Sequence, residues 1–484
     1  MRGSVCFILI IMLVISGARA EFPEPEKQSQ QMILGEINGG YFSDVELFYE
    51  SGNGLELSNV TKAVYVPVGG NVIEAALAEL FKPTEAQDFV SPMPGDASII
   101  SVEYGCGIVT VDLAINIAGL QSEAELVSMY KSITNTLTEL ENVDYVNILV
   151  NSRQENICSL PIGLITHDEN SAAATWAQHQ ADSTGFLDSG IPLERNVALY
   201  FPSSNGQWLL PEVRTISFRD NNYAEQLMLE LMDGADSGNV YASFLSGGSS
   251  ILTNIPTISV NSTGQRVLDI SLSNTIRDYM VLQGINEWQL AGAITLTMCG
   301  FIPELDAVRL TIGETVIERL NIRGQYYDFT DGLIYRNDFS MYSGSICTLH
   351  FATDNGKLKA VKRAISSERS SSAYALLTQL VSGPSAADSG ASSVMPAGMT
   401  ASDILGVLIQ DNTATVNFTD NFYRLSQMMN KTEERQFVYS VVNTLCSLPD
   451  VTAVKFLVEG EQIETLSGNI YLINELLPNP GMIE

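Results

Sequence analysis

Three histidines, His167, His179 and His350, are scattered through 484 residues, too few and too far apart for a site built on paired imidazoles. Cysteine is scarce as well. Cys6 lies in the first twenty residues, which leaves Cys106, Cys158, Cys299, Cys347 and Cys446. Their odd number and spacing fit neither a disulfide framework nor a zinc site, so buried free thiols are the default, with room for one disulfide after export. Basic charge is short: 25 Lys and Arg stand against 56 Asp and Glu, a net charge of −31. That balance argues against nucleic acid, anionic lipid and anionic wall polymer as direct partners. Nucleophile elbow, phosphate loop, dinucleotide fingerprint and EF-hand loop are all missing. The expectation is a protein with no catalytic, cofactor-binding or metal-ligating residues, and not an enzyme.

The one long apolar run opens the chain. Arg2, the apolar core Val5–Ile15 and Ala18-Arg19-Ala20 read as a Sec-type signal peptide over 1–20, and the run is too short to span a bilayer comfortably. The competing reading is an uncleaved anchor, through which alone the chain would touch a membrane. No Cys follows the apolar core, so a lipidated N-terminus is not supported. The expected location is extracytoplasmic, secreted or associated with the cell envelope. Residues 21–43 carry Pro, Gln and Gly without a period and read as a tether.

What the remainder has is repetition. The first copy, 44–152, opens with the strand Val45–Tyr49 and a turn at Gly52-Asn53-Gly54. It continues through the strand Ala63–Pro67 to a helix capped by Asn71. A hairpin across Gly105-Cys106-Gly107, a helix bearing Leu126, Met129, Ile133 and Leu137, and a closing strand Val146–Val150 complete it. The second copy, 196–320, keeps the order from Val197–Phe201 to Val308–Ile312 and aligns Asp269 with Asp112. The third, 345–467, runs from Cys347–Phe351 to Val451–Val458, with Thr432 as N-cap of a helix that buries Phe437, Val438, Val441, Val442 and Leu445. A repeat of about 150 residues means tandem domains, because each copy can bury its own core. The fold class is α+β: three tandem β-β-α-β-β-α-β domains, each with two helices on one face of a mostly antiparallel sheet. Connectors at 153–195 and 321–344 carry Trp176, Phe329, Phe339 and several tyrosines, too aromatic for disordered tethers. They are expected to dock on neighbouring domains and stiffen the chain into a semi-rigid rod, with a tail at 468–484.

Certain runs in the copies are specific. Leu380-Val381-Ser382-Gly383-Pro384, Met395-Pro396-Ala397-Gly398, Asn443-Thr444-Leu445 and Leu457-Val458-Glu459-Gly460 stand in the third, and Asn135-Thr136-Leu137 with Leu149-Val150-Asn151 in the first. This pattern resembles the GerMN domain of sporulation and germination proteins of the GerM type, with the second copy the most divergent. The resemblance implies non-catalytic α+β modules that build extracytoplasmic complexes. It implies an exported scaffold or assembly protein of the bacterial envelope, acting in sporulation or germination through contacts with envelope or sporulation-complex proteins, with self-association left open. The chain departs from the pattern in having three copies where two are familiar, and no lipobox Cys.

Several residues are candidates for chemistry. His350 takes the repeat position of Phe48 and Tyr200 and fills a structural slot. Cys299 and Cys446 match Thr138 at helix ends, a small buried position. Asp112 and Asp269 face Asn417 in the third copy, and Asn cannot ionise, so the position accepts a hydrogen bond. The alternative function is a cell-wall or carbohydrate-binding surface protein, which would display Trp176, Trp208, Trp288 or the tyrosines of 326–342 on an open face.

Overall fold

The computed structural model describes residues 41–67, 70–83, 88–120, 122–157, 160–176, 193–219, 222–236, 240–242, 251–370, 372–449 and 451–484. The expected signal peptide, residues 21–40 of the tether, Cys158 and His179 lie outside these residues.

Three successive units are built from similar elements, with additions that differ between them. The first has β1 (Tyr41–Ser51), β2 (Leu57–Val66), α1 (Val72–Leu80), β3 (Phe89–Val90), β4 (Ser98–Gly105), β5 (Ile108–Ala114), α2 (Glu123–Thr138) and β6 (Tyr145–Val150). The second has β7 (Leu193–Pro202), β8 (Leu209–Phe218), α3 (Tyr223–Asp233), β9 (Thr257–Val260), β10 (Arg266–Leu272), α4 (Thr275–Gln283), α5 (Glu287–Phe301), β11 (Ala307–Ile312) and the short strands β12 (Thr315–Val316), β13 (Arg319–Ile322) and β14 (Gln325–Asp328). The third has β15 (Gly344–Ala352), β16 (Leu358–Ser366), α6 (Ala373–Val381), β17 (Ile404–Gln410), β18 (Thr413–Phe418), α7 (Asp420–Ser426), α8 (Lys431–Leu445), β19 (Ala453–Val458) and β20 (Glu461–Gln462).

The class is α+β, but the strands of a unit do not form the single sheet expected. Each opening hairpin stands apart, and a second sheet is built from β4-β5-β6, from β12-β11-β10-β9 or from β17-β18-β19-β20. Within the second sheet the middle and closing strands pair in parallel, β5 with β6, β10 with β11 and β18 with β19. One α-helix in the first unit, and two in each of the others, separate those strands in sequence, and a crossover of that length is what parallel pairing requires.

The long helix of each unit ties the hairpin to the rest through hydroxyls. Thr136 Oγ1 accepts the Phe48 N–H at 3.0 Å, Thr297 that of Tyr200 at 2.9 Å, and Thr444 that of His350 at 3.1 Å. One turn earlier, Ser132 and Ser440 donate to the carbonyls of Phe48 and His350. A strand edge that would otherwise be open is thereby closed by a helix. In the second unit the serine is replaced by Ala293, which is fully buried.

Each unit also extends beyond its closing strand. Val146, Val308 and Val454 exchange paired backbone hydrogen bonds with Ile165, Ile334 and Leu476, all between 2.8 and 2.9 Å. Asn135 and Asn443 then clamp the peptides of Asp168 and Asn479 with two hydrogen bonds each. Segments read from sequence as connector or tail therefore supply an edge to the sheet of their own unit. Trp176 and Ile165 join the first core, Phe329, Ile334 and Phe339 the second, and Leu472 the third.

These bonds also fix the repeat register. Val109, Leu268 and Ala414 are equivalent, because they pair with Val146, Val308 and Val454. The counterpart of Asp112 and Asn417 is therefore Ser271, and Asp269 lies two residues away. A shift of two leaves every strand side chain on its own face, so polar–apolar alternation cannot detect it. In the third unit the N-cap is Asn430 rather than Thr432. Its side chain accepts from the N–H groups of Thr432 and Glu433, while the Glu433 carboxylate accepts from its own N–H. Asn presents a better-placed acceptor three residues before Glu433 than Thr432 can, and the reciprocal bonds make a capping box.

Candidate functional site

The units do not form a rod; the first and third touch each other as well as the second. The Tyr104 N–H donates to Ser367 Oγ at 2.6 Å, and that hydroxyl donates back to the Tyr104 carbonyl. The Cys106 N–H reaches Ser345 Oγ at 3.4 Å. Backbones meet where glycine allows it. A Cβ on Gly105 would stand 2.5 Å from the Gly344 carbonyl oxygen, and one on Gly344 would stand 2.6 Å from Trp208 Cβ. Three units thus converge within a few ångströms at two glycines. Rod-like stacking was expected because sequence spacing says nothing about contacts between non-consecutive units.

The first and second units are joined by a buried ion pair. Arg336, in the segment that follows β14, makes bidentate contacts of 2.7 and 3.1 Å with Glu103 on β4. Both side chains are almost fully buried. Burial opposes the guanidinium charge, but the facing Glu103 carboxylate holds its pKa above the ordinary value. The fork geometry fixes orientation as well as distance. Arg153 to Asp306, at 3.1 Å, and Asn147 to the Gly300 carbonyl, at 3.2 Å, reinforce the same contact.

Between the first and third units lies a cleft of about 430 Å³, with Tyr41, Cys106, Glu141, Asp144, Cys347 and Thr348 on its walls. Its two thiols come from different units. Burial pushes Cys106 up to about 11 and Cys347 up to about 12, so both are protonated at neutral pH, and neither is an activated nucleophile. Cys299 and Cys446 are raised in the same way, to about 12 and about 11. All four are free.

The other residues weighed for chemistry are parts of the framework. His350 is buried with its Nδ1 3.3 Å from Thr444 Oγ1, and burial lowers its pKa to about 4, so the ring is neutral near pH 7. His167 lies edge-on to Phe48, with Nδ1 3.3 Å from Thr138 Oγ1. The Asp112 carboxylate accepts from the Ser152 N–H and hydroxyl at 2.8 Å each, and Asn417 accepts from the Gly460 N–H at 2.9 Å. Both brace the turn after a closing strand, where ionisation is not needed. Asp269 instead pairs with Arg309 at 2.8 Å.

The tryptophans are packed rather than displayed. Trp176 and Trp288 are 2% exposed, and Trp208 is covered by the Arg323 guanidinium, 4.4 Å from its ring centre. Tyr342 is buried, while Tyr326 is exposed beneath Arg319. Among the described residues, no three His, Cys, Asp or Glu side chains are grouped to hold a metal ion, and no helix is long and apolar enough to cross a membrane.

Sequence reasoning missed Glu103, Arg336, Ser345 and Ser367, which make the inter-unit contacts. Only Arg336 carries a signal, as a cation inside an aromatic run; the serines carry none.

The Germane family, described as sporulation and spore germination, matches residues 41–156 and 348–464, the first and third units. No curated protein matches the chain. The tandem GerMN domains of the sporulation protein GerM from Bacillus subtilis are 17% identical, covering 60% of this chain and 97% of that one, with a TM-score of 0.24. The first GerMN domain of the same protein is 24% identical over 28% of this chain and 96% of its own, with a TM-score of 0.23. The first and third units of this chain are thus the two regions that match the Germane family model, and the middle unit lies outside both matches.

Proposed function

We propose that the chain is an exported, envelope-associated scaffold or assembly protein that acts in sporulation or spore germination, without enzymatic activity. The middle unit is, on this reading, a third and diverged Germane domain. It keeps the Thr297 clamp on the opening strand and the Val308–Ile334 closure, while Leu296 stands where the other two units have Asn135 and Asn443. The observation that carries the functional reading is the pair of Germane matches on units whose polar and titratable side chains are spent on holding the fold and its junctions. Buried thiols are kept protonated, the buried histidine is kept neutral, and the internal ion pair joins two units. Surfaces remain for recognition, and protein partners in the envelope are the proposed targets. The test is to follow a tagged copy through growth and spore formation. Accumulation at the engulfed forespore only after spore formation begins is expected, and cross-linking there should recover envelope proteins. Constant release into the medium, or uniform wall labelling with retention on purified wall polymer, would overturn the reading.

A further inference from the structure

The edge strand of the second sheet is treated differently in the three units. In the first unit the Tyr104 peptide groups face away from β5 and are met by Ser367 of the third unit. In the third unit β17 lies against the first, where Leu408 and Leu457 pack on Tyr41. The equivalent strand of the second unit is β9. The Arg266 carbonyl accepts from the Asp306 N–H, so Arg266 and Leu268 turn their peptide groups toward β11. Their antiparallel partners Val260 and Ile258 therefore turn theirs away from β10. Among the described residues, neither Ile258 nor Val260 has a partner on that side. All four residues of β9 are exposed, Ile258 at 41% and Val260 at 67%, and Ile255 just before it at 60%.

The edge carries no charge. From Ile251 to Gln265 the sequence has no charged residue, in a chain with 56 acidic ones. Acidic surfaces repel a second copy of the same chain, and an edge without charged residues does not add to that repulsion. The edge also lacks the lysine that commonly blunts an exposed strand, and only Pro256 limits its length.

We propose that β9 is a self-association edge, at which two copies pair β9 to β9 in antiparallel fashion about a two-fold axis through Ser259. The register is self-complementary. Ile258 stands opposite Val260 of the second copy, and Val260 opposite its Ile258. Each of these two pairs exchanges both of its N–H···O bonds, which satisfies every outward peptide group of the two residues. The result is one sheet continuous across two copies, in the order β12-β11-β10-β9 and then its mirror in sequence, an isologous contact of the commonest kind. It is independent of when or where the protein acts.

The test is the mass of the protein in solution by light scattering and sedimentation equilibrium. A dimer is expected for the unaltered protein, reduced to a monomer by Ile258→Lys with Val260→Lys, and unaffected by Val281→Lys on the exposed face of α4. Ser259→Cys should give a dimer that reductant dissolves under denaturing conditions, while Thr257→Cys, off the axis, should not. A monomer at every concentration up to the solubility limit overturns the proposal. So does a dimer that survives the paired lysine substitutions, or one cross-linked equally well through Thr257→Cys. A monomeric protein that captures an extended peptide at β9 would make another chain the occupant, and would also overturn it.

Discussion

Replacing His350 by Phe should remove an acid sensitivity from the third unit. The slot is held by Phe48 in the first unit and Tyr200 in the second, and in all three its N–H is taken by a helix threonine, so an apolar ring suits it. Burial lowers the imidazole pKa from its ordinary value of 6.5 to about 4. In the unfolded chain the ring takes its proton near pH 6.5, whereas the folded chain refuses it until about pH 4. Stability is therefore undiminished above about pH 6.5 and is lost as pH falls toward about 4. At the lower end the loss amounts to about 3 kcal/mol. Carboxylates such as Glu434 and Asp403, whose pKa values are lowered by hydrogen bonds that outweigh burial, also lose stability on acidification. They do so equally in both proteins, so the difference between protein and variant isolates the histidine. The assay is urea unfolding of both at a series of pH values from about 7 to about 4, with the difference in unfolding free energy plotted against pH. The variant should gain on the parent by about 3 kcal/mol across that window. Parallel curves would refute the reasoning, since they would mean that the buried ring is protonated as readily in the fold as out of it.

Glu103→Gln should destabilise the first–second contact by roughly 3–5 kcal/mol, because it leaves the Arg336 guanidinium buried without its countercharge. A Glu103→Met, Arg336→Met pair should recover most of that loss in thermal unfolding. Thr444→Val keeps the shape but leaves the His350 N–H unsatisfied, which should cost about 1–3 kcal/mol in denaturant titrations, and Thr136→Val should do the same in the first unit. Asn443→Leu copies what the second unit has at this position. It should loosen the C-terminal segment, read as faster hydrogen exchange at Asn479 and its neighbours with the exchange of β18 unchanged.

Local chemistry was legible in the sequence to different depths. Asn71 caps its helix as its position predicted, with the Glu74 N–H donating to Asn71 Oδ1 at 2.8 Å. The apolar stripe Phe437, Val438, Val441, Val442 and Leu445 is fully buried. These follow from periods of 3.6 and 2, which depend only on neighbours along the chain. The misplacement of Asp269 shows where such periods stop being informative, because a register error of two residues preserves them. The segments around Ile165, Ile334 and Leu476 escaped because a single bridge has no period at all.

By itself, then, the sequence determined the α+β class, the likeness of the first and third units, the helix faces and the acidic, histidine-poor character that shaped the functional reading. Each of these is written in short-range patterning or in composition. Tertiary structure alone decided that each unit divides its strands between two sheets, that the return segments close those sheets, and that the three units lock together through Glu103, Arg336, Ser345, Ser367 and a pair of apposed glycines. It also left one of three equivalent edges, β9, without a partner among the described residues. Those outcomes depend on contacts between residues far apart in the chain, and a hydroxyl or a glycine that makes such a contact looks in sequence like any other.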